Sequence, residues 1–320
     1  MTEIGHSEVA AFARDRVNLP SDTAKRHRDQ VDALIGRLEA KIADDPAYDL
    51  VKALHAGSVA KGTALKTVND LDVAVYVKAG SAPVEDGKLM PWLRDRLIEA
   101  NPNMDPSQFV ANEHCVTVSF KGTGLDVDVV PVLYEGAAND CGYLVRKRTG
   151  QRVLTSIPLH LKFIRSRKAK YGSEFAQLIR LVKWWKKQVV ATDADFRFKS
   201  FMIELIWAHL ADTGADLDDY PTALEAFFGF VVKTELRNRI SFTDYYPASK
   251  LPAARQGAIE VFDPVNPDNN VGMNYNDADR ARIVTAAHAA LDAIGEARFA
   301  ITKGEEVECW QDILGPGFRG

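Results

Sequence analysis

Residues 125–131 read Leu-Asp-Val-Asp-Val-Val-Pro. Successive side chains of a strand point to opposite faces. The run therefore sets Leu125, Val127 and Val129 on one face and Asp126 and Asp128 on the other. The apolar face seeks a core, and the charged face must meet water or a cation. A second segment repeats the constraint. In Asp70-Leu71-Asp72 the carboxylates again stand two apart, and Leu71 to Val77 continues as an alternating, β-branched strand. Two carboxylates side by side repel and raise each other's pKa. A divalent cation relieves this, and Mg²⁺ favours a few carboxylates together with phosphate oxygens. An isolated Asp-x-Asp is most often a solvated strand end. Two such pairs on apolar strands are harder to assign to water alone.

The rest of the chain arranges itself around these strands. Residues 22–44 place Val31, Leu34, Ile35, Leu38 and Ile42 at helical spacing, with Ser21 or Asp22 as the cap. Leu54 to Ser58 reads as a turn and Pro91 to Glu99 as a helix. Thr117 to Phe120 and Leu125 to Val130 read as strands joined by the hairpin signal Lys121-Gly122-Thr123-Gly124. A further hairpin is expected at Leu144 to Val153, around Thr149-Gly150. From Pro158 the period becomes helical. Ser173 caps a helix bearing Phe175, Leu178, Ile179 and Val182, and another starts near Ser200 and runs through Ile203, Ile206, Trp207 and Leu210. A third covers roughly Asp277 to Ile294. The expected division is a strand-rich lobe, 1–160, and a helical lobe, 161–320.

Composition narrows the function. With 40 basic against 44 acidic residues the net charge is −4, which argues against a protein that grips long nucleic acid. No apolar run is long enough for a membrane span, and Met1 to Val9 lacks the apolar core of a secretory signal. Cys115, Cys141 and Cys309 are scattered and odd in number. They offer neither a disulfide framework nor a zinc set, and they fit a reducing, cytoplasmic setting. Within this acidic chain, residues 162–187 carry Lys162, Arg165, Arg167, Lys168, Lys170, Arg180, Lys183, Lys186 and Lys187 against Glu174 alone. Arg180, Lys183 and Lys187 share one helix face, which is either solvated or suited to a triphosphate. Trp184 and Trp185 are expected in the core.

The order Gly57-Ser58, Asp70-x-Asp72 and Asp128-Val129-Val130-Pro131 resembles the polymerase-β-like nucleotidyltransferase superfamily. Arg180-Leu181-Val182-Lys183-Trp184-Trp185 is similar to the triphosphate-binding helix of oligoadenylate synthases. Ser200-Phe201 resembles the serine that follows in that lineage, with Phe201 standing where many relatives have tyrosine. Phe262 to Val271, rich in Pro and Asn, is similar to a segment of bacterial cyclic-GMP-AMP-synthase-like enzymes and reads as a rigid turn. From about residue 22 to about 318 the chain is identified as a member of the bacterial CD-NTase family.

That resemblance implies an α+β, two-lobed nucleotidyltransferase: a mixed β-sheet catalytic lobe, an α-helical C-terminal lobe, a long N-terminal helix spanning both, and an active site in the cleft. It implies two Mg²⁺ ions, replaceable by Mn²⁺, with Asp70 and Asp72 bridging both and Asp128 holding the ion that activates the attacking hydroxyl. Asp126 is the second choice for that third position. Gly57 and Ser58 would present a backbone N–H and a hydroxyl to the phosphates, as would Lys183, Arg180 and Ser200 with their side chains. The implied product is a cyclic di- or trinucleotide second messenger for antiphage defence (CBASS), made from NTPs that include ATP. A linear oligoadenylate synthase or an RNA-tailing enzyme would use the same residues, and a transferase onto a protein or antibiotic differs only in its acceptor. Such enzymes either run constitutively or wait for an activating protein partner.

Overall fold

The computed structural model describes residues 4–43, 45, 47–67, 70–79 and 86–320. Residues 1–3 of the N-terminal stretch and Asp44, at the end of the expected first helix, lie outside the described residues. The chain divides into two compact units. Leu19–Lys162 forms the sheet unit, and Phe163–Gly320 forms the helical unit together with the segment that ends at Asn18.

The sheet unit contains helix α2 (Ser21–Ile42), with α1 (His6–Phe12) preceding it in the other unit. Strand β1 (Tyr48–His55) leads into the one-turn helix α3 (Gly57–Lys61) and then β2 (Asp70–Ala79). Helix α4 (Leu89–Ala100) follows, then β3 (Phe109–Ala111), β4 (Val116–Phe120), β5 (Leu125–Leu133), β6 (Gly142–Val145) and β7 (Arg152–Thr155). The sheet order is β1-β2-β5-β4-β3, with β6 on the far end of β5 and β7 beyond β6. The β2–β5 pair is parallel and the other pairs are antiparallel. The sheet is therefore mixed, as expected.

The alternation read from the sequence determines which side is covered. Leu71, Val73, Val75, Leu125, Val127 and Val129 join Val116, Val118, the apolar stripe of α2 and Met90, Leu93 and Leu97 of α4 in one buried core. Full burial of each such side chain contributes about 1.5–3 kcal/mol. The acidic residues are thereby forced to the opposite face. Pro131 sits where the outer partner of β5 changes, since β4 pairs no further than Val129 and β6 begins at Val132. A residue without an N–H breaks no antiparallel ladder there.

The turn read at Leu54 to Ser58 changes: Leu54 and His55 end the edge strand Tyr48–His55, and Gly57–Ser58 opens a short helix. The start of α2 has Pro20 at the cap position, with no side-chain cap from Ser21 or Asp22. The predicted hairpin at 144–153 forms as β6 and β7, with Gly150 at φ 67 in the turn.

The helical unit begins within α5 (Ile157–Thr192), which Gly172 (φ 81, ψ −173) interrupts just before Ser173. It continues through α6 (Ser200–Asp212), α7 (Tyr220–Thr234), α8 (Asp277–Phe299) and α9 (Lys303–Leu314). Trp185 is buried against Phe228, ring centroids 4.9 Å apart, and Trp207 stacks on Phe227 at 5.1 Å. The N-terminal segment packs here because its apolar groups find partners here. Phe12 meets Phe318 at 5.4 Å, His6 lies on Tyr220 at 4.1 Å, and Ile4 N donates to Glu306 Oε1 at 2.5 Å. The sequence division at 160 had placed that segment with the sheet.

The Asn-rich segment after Phe262 forms the rigid turn expected of it. Asn270 Oδ1 accepts from Val261 N and Gly272 N, while its Nδ2 donates to Gln256 O and Ile259 O. Asp263 accepts from Val265 N and Asn269 Nδ2.

Candidate active site

The sheet unit presents four carboxylates on one face. The parallel register sets Asp70 opposite Asp126 and Asp72 opposite Asp128, and neighbouring strands lie about 4.8 Å apart. Asp70 is exposed, and the other three are half-buried. Asp128 also faces Thr117 across the antiparallel β4–β5 pair, and Thr117 Oγ1 donates to Asp128 Oδ1 at 2.5 Å. Asp126 stands opposite Ser119.

Gly57 and Asp72 fit one another. Ala56 N donates to Asp72 O at 2.9 Å, tying the start of α3 to β2. Gly57 has φ 63, and a Cβ added there would lie 1.7 Å from Asp72 Oδ2. The glycine is therefore required both by its backbone conformation and by the space its neighbour's carboxylate occupies. Ser58 follows, half-buried, as the second residue of α3.

The donor set suits a hard divalent cation. It is all carboxylate oxygen on a shared face, closely approached by backbone at Gly57. Cys115 lies near Asp128, but burial, reinforced by that carboxylate, pushes its thiol up to about 11 and keeps it protonated. Among the described residues, no three His, Cys, Asp or Glu side chains converge closely enough, as they stand, to enclose an ion.

The helical unit carries Arg180, Lys183, Lys186 and Ser200. Lys183 and Lys186 are three apart on α5, and Ser200 and Glu204 are four apart on α6, so each pair shares a helix face. They meet rung by rung. Lys183 Nζ donates to Glu204 Oε1 at 2.6 Å, both side chains being buried, and Lys186 Nζ lies 3.4 Å from Ser200 Oγ. Burial, and then the charge of Lys183, lower the pKa of Lys186. A cation held in that setting gains by receiving an anion. Ser200 is the first residue of α6, after Lys199 at the cap, rather than the cap itself.

Arg180 bonds to the N-terminal segment and to its own helix. Its Nε donates to Asn18 Oδ1 at 2.9 Å and its Nη2 to Gln177 Oε1 at 2.7 Å, and burial lowers its pKa. These bonds fasten the N-terminal segment to α5. Lys186 belonged to the basic run in the sequence but had not been singled out. Glu204, an acidic residue inside the apolar run 201–208 of α6, was the available signal for a buried partner.

A mixed sheet with paired carboxylates opposite its core, in a chain whose second unit carries a lysine–serine ladder, has the make-up of a nucleotidyltransferase. No protein-family model matches the chain. It is 46% identical over 317 residues to the cyclic AMP-AMP-AMP synthase of Escherichia coli (strain MS 115-1), covering 99% of this chain and 98% of that protein. It is 28% identical over 319 residues to the CBASS oligonucleotide cyclase CdnC of Escherichia coli (strain KTE188), covering 98% and 97%. Two solved structures of E. coli MS115-1 CdnC superpose with TM-scores of 0.90 and 0.89 at 46% identity, each covering 99% of both chains. The first is a complex with HORMA-deltaN and the second contains ATP.

The chain belongs to the bacterial CD-NTase family, among its CBASS oligonucleotide cyclases. As such it is a nucleotidyltransferase that makes a cyclic oligonucleotide for antiphage defence.

One variant tests the fit at Gly57. Gly57→Ala should displace the Asp72 carboxylate and lower kcat on the order of a hundredfold, the scale of a 1 Å misplacement. Strain from a left-handed alanine adds about 1–2 kcal/mol of destabilisation. Steady-state kinetics alongside urea unfolding measure both. Wild-type kcat in this variant would show that the position of Asp72 is immaterial.

Proposed function

We propose that the chain converts ATP into a cyclic trinucleotide of three AMP units. The observation that carries this reading is the β2–β5 register, which pairs Asp72 with Asp128 on the carboxylate face. The identity with the cyclic AMP-AMP-AMP synthase supports the product, and the CdnC structure containing ATP supports the substrate. Asp70, Asp72 and Asp128 are the residues that would hold Mg²⁺, or Mn²⁺ in its place. Two such ions would neutralise the triphosphate and lower the pKa of the attacking hydroxyl.

The remaining roles fall to the chain's own side chains. Lys186, Ser200 and Lys183 receive the triphosphate oxygens, with Lys186 bringing positive charge and Ser200 a hydroxyl beside the positive end of α6. Gly57 and Ser58 contribute an N–H and a hydroxyl. Arg180, which also holds the N-terminal segment through Asn18, joins them at the phosphates. In each transfer a ribose hydroxyl oxygen bonds to an α-phosphorus, its proton is lost, and the bond to pyrophosphate breaks. Three transfers, the last within one molecule, close the ring.

The CdnC complex with HORMA-deltaN supports a HORMA-type protein as the activating partner. None of the helices among the described residues is long and apolar enough to cross a membrane. The three free cysteines suit the reducing cytoplasm, where we place the enzyme.

The test is a product analysis. Purified chain, with and without a HORMA-type partner, is given all four NTPs with Mg²⁺ or Mn²⁺, treated with phosphatase and examined by mass spectrometry. The expected product resists phosphatase and has the mass of three AMP less three waters. A linear adenylate ladder would move the reading to oligoadenylate synthesis or tailing. A guanine-containing ring would overturn the base assignment.

A further inference from the structure

We propose that Thr117 and Asn112 are positioning residues for Asp128, holding its carboxylate in one orientation for metal ligation. This rests on the reading of Asp128 as a ligand. Asn112 follows β3 and turns into β4, its N–H donating to Cys115 O at 2.8 Å. Its Nδ2 donates to Thr117 Oγ1 at 2.8 Å, and Thr117 Oγ1 donates in turn to Asp128 Oδ1 at 2.5 Å.

The direction of this relay follows from chemistry. An ionised carboxylate only accepts hydrogen bonds, and a hydroxyl has a single proton. Thr117 must therefore give its proton to Asp128 and can only accept from Asn112. That fixes the Asn112 amide with its NH₂ group inward. Each bond polarises the next, so the hydroxyl becomes a better donor to the carboxylate. The donor chain is neutral throughout. It orients Asp128 without cancelling the charge that attracts a cation, as an arginine in the same place would.

The backbone supports the same geometry. Thr117 and Asp128 face each other in the β4–β5 ladder, and Asp128 and Asp72 face each other in the β5–β2 ladder. The three side chains therefore lie in one row across three strands. Thr117 is half-buried, so its bond to Asp128 is partly shielded from competing water. Ser119 stands opposite Asp126, and its carbonyl accepts from Gln108 Nε2.

The test uses the full chain with a non-hydrolysable ATP analogue and Mn²⁺ as the probe. Free Mn²⁺ is followed by electron paramagnetic resonance, and thermal melting is recorded for each variant. Thr117→Val keeps the shape and removes the hydroxyl. It should weaken Mn²⁺ binding about 10–100-fold, the usual cost of losing a hydrogen-bond partner of a metal ligand. Thr117→Ser should restore binding to within about threefold of wild type, and Asn112→Ala should weaken it severalfold. In turnover, Thr117→Val should raise the metal requirement while leaving the KM for ATP at saturating metal unchanged.

Wild-type Mn²⁺ affinity in Thr117→Val overturns the proposal. If that variant does not fold, Asn112→Ala decides, and unchanged affinity there overturns it equally. Asp128→Asn separates the two levels of the argument. If it weakens Mn²⁺ binding and Thr117→Val does not, the ligand assignment stands and the positioning role falls. If Asp128→Asn leaves Mn²⁺ binding intact, the ligand assignment itself is wrong, and the positioning role falls with it.

Discussion

Alanine at both Asp70 and Asp72 is expected to abolish nucleotide incorporation while the chain still folds. The loss should be at least about a thousandfold in kcat, equivalent to roughly 4 kcal/mol of transition-state stabilisation. The fold should survive because neither carboxylate belongs to the core. Leu71, Val73 and Val75, on the other face of the same strand, supply the packing against α2 and α4. Removing two like charges from one face also relieves repulsion against Asp126 and Asp128. Circular dichroism and urea unfolding should therefore show a chain that is folded and unfolds cooperatively. Full activity in the double variant would remove these residues from the metal site. Loss of activity together with loss of structure would leave the carboxylates with a structural role instead.

The second large effect is on stability. Lys183 and Glu204 form a buried ion pair at 2.6 Å. Removing one partner takes a close opposite charge from the other in a poorly solvated place, and breaking a buried pair in this way costs about 3–5 kcal/mol. Glu204→Met alone should therefore lower the unfolding free energy by about that amount, measured by urea titration. Methionine at both positions should recover most of it, since an apolar pair of similar volume is often as stable as the ions it replaces. Function should not recover. With Lys183 gone, the double variant should retain a raised KM for ATP, because a phosphate has lost a cation that methionine cannot replace. Recovery of both stability and KM would make Lys183 a structural residue and leave Lys186 as the phosphate-binding lysine of this ladder.

The sequence was most legible where one strand face had to be apolar. The alternation in 125–130 and 71–77 predicted two strands and the face for every acidic residue, and the structure contains both. Tyr48–His55 was missed because an edge strand is only partly covered. Tyr48, Asp49 and Leu50 begin the alternation, but a register shift between Leu50 and Lys52 breaks the period that would have announced it. Thr117 was legible in principle. The hairpin joins Phe120 to Leu125, and counting back three residues on one strand and forward three on the other brings Thr117 opposite Asp128. The Lys183–Glu204 and Arg180–Asn18 pairings depend on contacts between distant segments. Periodicity within one helix carries no information about such partners. The attachment of the N-terminal segment to the helical unit was hidden for the same reason.

The parallel pairing of β2 with β5 has a consequence for how the molecule acquires its activity. The two strands that carry the carboxylates are separated in the chain by α4, β3 and β4, and they join only through a long-range contact. Such contacts form late, because the closure entropy is lost before the pairing rewards it. A slip of one residue between β2 and β5 would turn one set of acidic side chains into the core and bring apolar ones out. The hydrophobic face thus proofreads the alignment of the acidic one. The register that aligns the row of carboxylates is the same one that buries Leu71, Val73, Leu125 and Val127.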